Sequence, residues 1–138
     1  MTSGVGPRPC HALVVEDDPA ICSLFRTILR REGFSVEDCR TGSEAIARIG
    51  PDGYHLIVID LRRPETHGGE VISYLKTHHL QVLKTVIVVS ADRSVIRGEY
   101  PEPICRFLSK PFDIEEFTHL VHACTELCDR EAAAAVNR

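Results

Sequence analysis

The stretch His55–Asp60, HLIVID, is apolar throughout its middle and ends on a carboxylate. A short apolar run with no polar alternation reads as a strand covered on both faces, the situation found in parallel sheets. Two further runs share this character: His11–Glu16 (HALVVE) and Val86–Ser90 (VIVVS). Phe34–Cys39 fits a brief second strand and Ile104–Ser109 a fifth. Each run ends, or is directly followed, by residues that carry charge or a hydroxyl.

Helical patterns fill the intervals. Asp18-Pro19 offers an N-cap carboxylate and a proline at the first helical position. Ile21, Leu24, Phe25, Ile28 and Leu29 then recur at helical spacing, and Gly33 closes the run. Ser43–Ile49 is a short helix stopped by Gly50-Pro51-Asp52-Gly53. A loop, Leu61–Gly68, precedes a helix carrying Val71, Ile72 and Leu75. A last helix from near Asp113 places Ile114, Phe117, Leu120, Val121, Cys124 and Cys128 on one stripe. Strands alternating with helices predict an α/β, doubly wound parallel sheet with right-handed crossovers and helices on both faces.

Composition narrows the class. The 138 residues suffice for one domain with a real core. Apolar residues make up 43% and charged residues 26%, the balance of a soluble globular chain. A formal charge of −4 gives no basic footprint for nucleic acid. MTSGVGPRPC lacks the apolar segment of a signal peptide, and no run approaches membrane-spanning length. Six cysteines, at positions 10, 22, 39, 105, 124 and 128, form no CxxC pair. They are expected to be reduced thiols in a cytoplasmic protein.

Parallel sheets bind ligands beyond the carboxyl ends of their strands. Glu16 and Asp17 end the first strand, Asp60 the third and Ser90 the fourth, and Lys110 follows the fifth. Two carboxylates about 4 Å apart repel by roughly 4 kcal/mol near a protein surface, so either a proton or a cation belongs among them. Oxygen ligands without His or Cys favour a hard ion such as Mg²⁺. Lys110 supplies a cation for phosphoryl oxygens, Ser90 a hydrogen bond, and Asp60 a carboxylate nucleophile that forms an acyl phosphate. Asp18 needs no role beyond the helix cap. His119, His122, Cys124 and Cys128 share the last helix, but burial of Cys124 and Cys128 explains them without a metal. His78-His79 reads as solvent-exposed.

The segments VVEDDP (14–19), IVIDLRRPETHGG (57–69), VIVVSA (86–91) and FLSKPF (107–112), in that order, resemble the receiver domain of two-component response regulators. The resemblance covers about His11 to Cys128. It implies a flavodoxin-like five-stranded sheet in the order 2-1-3-4-5 and a receiver domain over residues 11–130. Residues 1–10 would then be a disordered tail and 131–138 a C-terminal one. It further implies that Asp60 accepts a phosphoryl group from a sensor histidine kinase or phosphotransfer protein, as a signalling domain rather than an enzyme. Asp17 would ligate Mg²⁺ directly, Glu16 through water, with Asp60 and the Arg62 carbonyl completing the set. Ser90 and Phe107 would be the switch pair, and the Lys110–Pro111 peptide would be cis. Without an effector segment after residue 138, output is expected through a protein target, a phosphorelay or a homodimer on the fourth-helix to fifth-helix face.

Several positions depart from the family pattern. Glu16 stands where aspartate is commoner, and His67-Gly68 replaces an Asp-Gly. Arg62 and Asp92 border the phosphoryl position and are expected to pair across it, tuning the phosphorylated lifetime. In Asp92–Pro103 (DRSVIRGEYPEP), Gly98, Pro101 and Pro103 predict a short or distorted fourth helix. Two other classes fit the residues less well. A phosphatase of the haloacid dehalogenase type needs an acid two residues after its nucleophile, where this chain has Arg62. A flavodoxin-like carrier would have its phosphate repelled by EDDP. The remaining alternative is a receiver-like interaction module that works without phosphorylation.

Overall fold

In the computed structural model, residues 10–49, 54–61, 67–90 and 106–123 are described. Five strands form one sheet: β1 (Cys10–Val15), β2 (Phe34–Cys39), β3 (Leu56–Leu61), β4 (Val86–Ser90) and β5 (Arg106–Ser109). All neighbours are parallel, in the order β2-β1-β3-β4-β5. Helices α1 (Pro19–Arg31), α2 (Gly42–Arg48) and α3 (His67–His78) connect them. A C-terminal helix spans residues 114–123. A 3-10 turn over Leu80–Thr85, which no sequence signal announced, leads into β4.

The pleat sorts side chains between two cores. Ala12, Val14, Leu56, Val58, Ile87, Val89 and Leu108 pack under α1 and the C-terminal helix, with Phe25, Leu29, Phe117 and Val121. Leu13, Val15, Ile57, Ile59, Val86 and Val88 pack under α2 and α3, with Ala45, Val71, Ile72 and Leu75. Residues 56–59 are all fully buried. Both faces of the central strands are therefore covered, which is why HLIVID carries no polar alternation.

Local signals hold the helices in place. The Asp18 carboxylate accepts from the backbone N–H groups of Ala20 (2.9 Å) and Ile21 (3.3 Å), so Asp18 does cap α1. Gly33 follows α1 at φ +93°, a conformation that favours glycine. Asp113 and Glu116 exchange backbone-to-carboxylate hydrogen bonds of 2.9 and 3.3 Å, forming a capping box at the C-terminal helix. The edge strand β2 is fringed by charge: Arg26 pairs with Asp38 at 3.1 Å and Arg48 with Glu37 at 3.5 Å. Such a fringe discourages edge-to-edge pairing with another chain.

Some expectations need correction. β1 begins at Cys10 and stops at Val15, leaving Glu16 just past the strand. Leu24 and Ile114, both assigned to buried stripes, are 40% and 54% exposed, whereas Cys22 is buried. The cysteines are not all reduced: Cys22 and Cys39 are free, but Cys10 is disulfide-bonded. Cys10, assigned to a disordered tail over residues 1–10, is instead the buried first residue of β1; residues 1–9 and 131–138, the fourth-helix segment Asp92–Pro103 and Cys105, Cys124 and Cys128 lie outside the described residues. No described helix is long and apolar enough to cross a membrane.

Candidate functional site

Strand register brings the selected residues to one edge. Val15 pairs with Ile59, Asp60 with Val89, Leu61 with Ser90, and Ser90 with Ser109. Glu16 and Lys110 each follow directly in the chain. The backbone carries the order one step past the sheet, since Glu16 N–H donates to the Cys39 carbonyl at 3.0 Å and Lys110 N–H to the Ser90 carbonyl at 2.9 Å. The Lys110–Pro111 peptide is cis, as expected.

The decisive contact is between β3 and β5. Lys110 Nζ donates to both oxygens of Asp60, each at 2.8 Å. The Asp60 side chain is 1% exposed and that of Lys110 is 26% exposed. A carboxylate so thoroughly removed from water needs a charged partner, and the half-sheltered ammonium provides one. Sequence reasoning put both residues at this edge but did not foresee their direct bidentate contact.

Glu16 and Ser90 are the buried polar residues of the described core. The Glu16 carboxylate accepts the Asp18 N–H at 2.9 Å through Oε2, which ties the acidic turn to the head of α1. Asp17 is exposed. Phe107 is half-buried against the α2/α3 core, opposite Val88 in register. By pleat alternation Phe107 and Ser90 share that face, whereas Asp60 and Lys110 continue the alternation of Val58 and Leu108 toward the other. A pull on the end of β4 can thus reach Phe107 without crossing the sheet.

Phe112, within the FLSKPF motif, has a packing role that the motif alone does not state. Its ring stacks on Phe25 (centroids 5.9 Å, 10° between planes), and Phe25 meets Phe117 at 4.9 Å. Those contacts pin the turn after Lys110 to α1. The signal was available, because an aromatic two residues past Lys110 can pack on the apolar face of α1 that carries Phe25.

Two sequence candidates stay outside the site. His122 contacts Glu32 at the end of α1. His78 stacks on Tyr74 at 4.5 Å on α3, and is exposed as expected. Arg62 and Asp92 lie outside the described residues, and so does their pairing.

The donor chemistry matches a hard cation in kind: Glu16, Asp17 and Asp60 carry carboxylate oxygens. Among the described residues, no three Asp, Glu, His or Cys side chains close into a ready cage. Mg²⁺ is the hard ion that tolerates such an incomplete set, because it retains several of its own waters.

Comparison with known proteins places this geometry. The family model for the response regulator receiver domain matches residues 12–122. This chain belongs to the receiver domain family. As a receiver domain it is 28% identical, over 109 residues, to the transcriptional regulatory protein TrcR of Mycobacterium tuberculosis, a match covering 78% of this chain and 42% of TrcR. The chain spans half or less of the length of the curated relatives it matches. The solved structure of a CheY-like response regulator receiver domain from Methylobacillus flagellatus is 26% identical, with a TM-score of 0.71 over 85% of this chain and 99% of that one. The response regulator TrrA of Thermotoga maritima, crystallised with Mg²⁺ and beryllofluoride, superposes with a TM-score of 0.69 at 23% identity, over 83% of this chain and 98% of its own. The five-stranded order 2-1-3-4-5 is the one the family resemblance implies.

Proposed function

We propose that this receiver domain is a phosphoacceptor switch in which Asp60 takes a phosphoryl group from a phosphohistidine. The observation that carries the reading is the Asp60–Lys110 contact, a buried carboxylate held by one ammonium at the carboxyl edge of the sheet. In the transfer, an Asp60 oxygen bonds to phosphorus while the donor's P–N bond breaks and its imidazole takes up a proton. Lys110, already hydrogen-bonded to both oxygens, turns its N–H groups toward the incoming phosphoryl oxygens and offsets their charge. Glu16, Asp17, Asp60 and the Arg62 carbonyl would hold Mg²⁺, which supplies charge neutralisation when bound.

Ser90 then supplies the switch. Its position opposite Leu61 and Ser109 lets its hydroxyl turn toward a phosphoryl oxygen, drawing the end of β4 inward. Phe107, on the same face, repacks into the space released. The phosphoryl group biases the two arrangements only by its different interaction free energy with each. Leu24 and Ile114 are exposed on the two helices that pack on the Val58 face of the sheet, α1 and the C-terminal helix, and they fit docking by a kinase or phosphotransfer protein. Output passes to a protein target or a relay, a cytoplasmic role without nucleic-acid contact by the domain itself. Arg62 and Asp92 set how long the phosphoryl group survives.

The test uses acetyl phosphate with Mg²⁺. Wild type incorporates phosphate, Asp60→Asn does not, and chelation of the ion abolishes labelling. Equal labelling of both proteins would remove Asp60 from the mechanism, and no labelling of either would favour a module that works without phosphorylation.

A further inference from the structure

Lys110 carries its charge on a flexible four-carbon stem, and its ammonium is partly open to water. Such a side chain stays on Asp60 when the backbone beneath it is fixed on both sides. Upstream, the Lys110 N–H donates to the Ser90 carbonyl at 2.9 Å and continues the β4–β5 ladder. Downstream the strand has ended at Ser109, and Pro111 has no N–H to donate. Two residues on, Phe112 supplies the contact. Its ring lies nearly parallel to that of Phe25 on α1, with centroids 5.9 Å apart and 10° between planes, within the range at which aromatic faces attract. Phe117 completes the group, 4.9 Å from Phe25 and 6.1 Å from Phe112. Phe25 and Phe117 are fully buried in the close-packed core, so Phe112 rests on a platform with little room to shift.

The same helix carries the other side of the site. At the head of α1 the Asp18 N–H donates to Glu16 Oε2 at 2.9 Å, which ties the helix to the acidic turn. From Asp18 to Phe25 the helix rises about 10 Å. One rigid rod therefore sets the places of both the acidic turn and the turn that follows Lys110.

We propose that Phe112 is a positioning residue for phosphoryl transfer. By seating its ring on Phe25 it fixes the Lys110 backbone relative to Asp60, and so holds the ammonium first on the carboxylate and then on the phosphoryl oxygens. The effect on transfer rests on the phosphoacceptor reading, whereas the effect on Lys110 itself does not. Without the ring, the lysine stem is free to swing into solvent and the transferred group loses its counter-charge.

Two readouts on the whole chain test this, with Phe112→Ala, Phe112→Tyr and Phe117→Leu compared under conditions where each is folded. The first is brief acylation of lysines by a water-soluble reagent, read by peptide mass spectrometry with the exposed Lys76 on α3 as internal standard. In Phe112→Ala, Lys110 should react about threefold faster than in wild type, because an amine on a side chain 26% exposed becomes open to solvent. The second is the initial rate of phosphoryl incorporation from acetyl phosphate with Mg²⁺, which should fall by about tenfold. Phe112→Tyr keeps the ring and should restore both. Phe117→Leu loosens the same core without removing the stack of Phe112 on Phe25, and should stay within about twofold of wild type in both even where it is the less stable variant. Where Phe112→Ala does not fold, Phe112→Leu takes its place with the same directions expected. Unchanged Lys110 acylation on loss of the ring, equal effects from Phe117→Leu, or a more reactive Lys110 with transfer undiminished would each overturn the proposal. If wild type takes up no phosphoryl group, the phosphoacceptor reading fails, and the acylation result alone decides whether Phe112 places Lys110.

Discussion

Replacing Lys110 with alanine should destabilise the receiver far more than replacing Asp60 with asparagine, although both remove the same ion pair. At the 2.8 Å separation of Nζ and carboxylate, and at an effective dielectric of about 20, the gross attraction is about 6 kcal/mol. Desolvation cancels much of that, and the cancellation is lopsided because the Asp60 side chain is 1% exposed and that of Lys110 is 26% exposed. Lys110→Ala strands a buried carboxylate. Loss of one partner of a fully buried pair costs about 3–5 kcal/mol. Since the ammonium is partly open to water that can take its place, we expect about 2–3 kcal/mol. In Asp60→Asn the freed lysine swings into solvent, the buried amide is neutral, and the loss should stay near 1 kcal/mol. The assay is urea unfolding at neutral pH with divalent ions chelated. For a chain of this size the midpoint of Lys110→Ala should fall by about 1–2 M at unchanged slope. If Asp60→Asn proved the less stable variant, or the two losses matched, the assignment of the desolvation burden to Asp60 would be wrong.

Asp113→Ala removes the carboxylate that receives the Glu116 N–H and should cost about 1 kcal/mol in the same unfolding assay, with faster exchange in the first turn of the C-terminal helix. Gly33→Ala places a Cβ where nothing lies within 4 Å, yet φ is +93°. The cost is then backbone strain alone, about 1 kcal/mol, and an Asn replacement should recover part of it. Burial, followed by the hydrogen bond to Glu37, pushes the Tyr54 hydroxyl up to about 12. The folded state therefore holds this proton more tightly than the unfolded one. The contribution is intact below the ordinary tyrosine value and is lost as pH climbs from about 10 toward 12. Tyr54→Phe should flatten that part of the stability profile in thermal melts.

The fold was legible because burial writes itself into composition. HLIVID and VIVVS are apolar on both pleat faces only when helices cover both sides, and the termini of β2 and β4 match the sequence reading to the residue. The acids were legible for the opposite reason, since charges at strand ends are costly unless something uses them. Helical spacing was less reliable. It assigned Leu24 and Ile114 to the core from periodicity, but periodicity cannot say how far a neighbouring layer extends. The bidentate geometry of Lys110 on Asp60 depends on how β3 and β5 are staggered across β4, a long-range relation without a local sequence mark. The Cys10 disulfide was missed because the six cysteines carry no framework spacing. Phe112 could have been read, because its motif was recognised and only its packing partner went unasked.

The most direct measurement of the central claim locates the phosphoryl group itself. After incubation with acetyl phosphate and Mg²⁺, borohydride reduction converts an aspartyl phosphate to homoserine, and peptide mass spectrometry reads the position. The account predicts that change at Asp60 alone, in a peptide that is unmodified when the ion is chelated. Modification at Asp17, Asp18 or a histidine, with residue 60 intact, would contradict it.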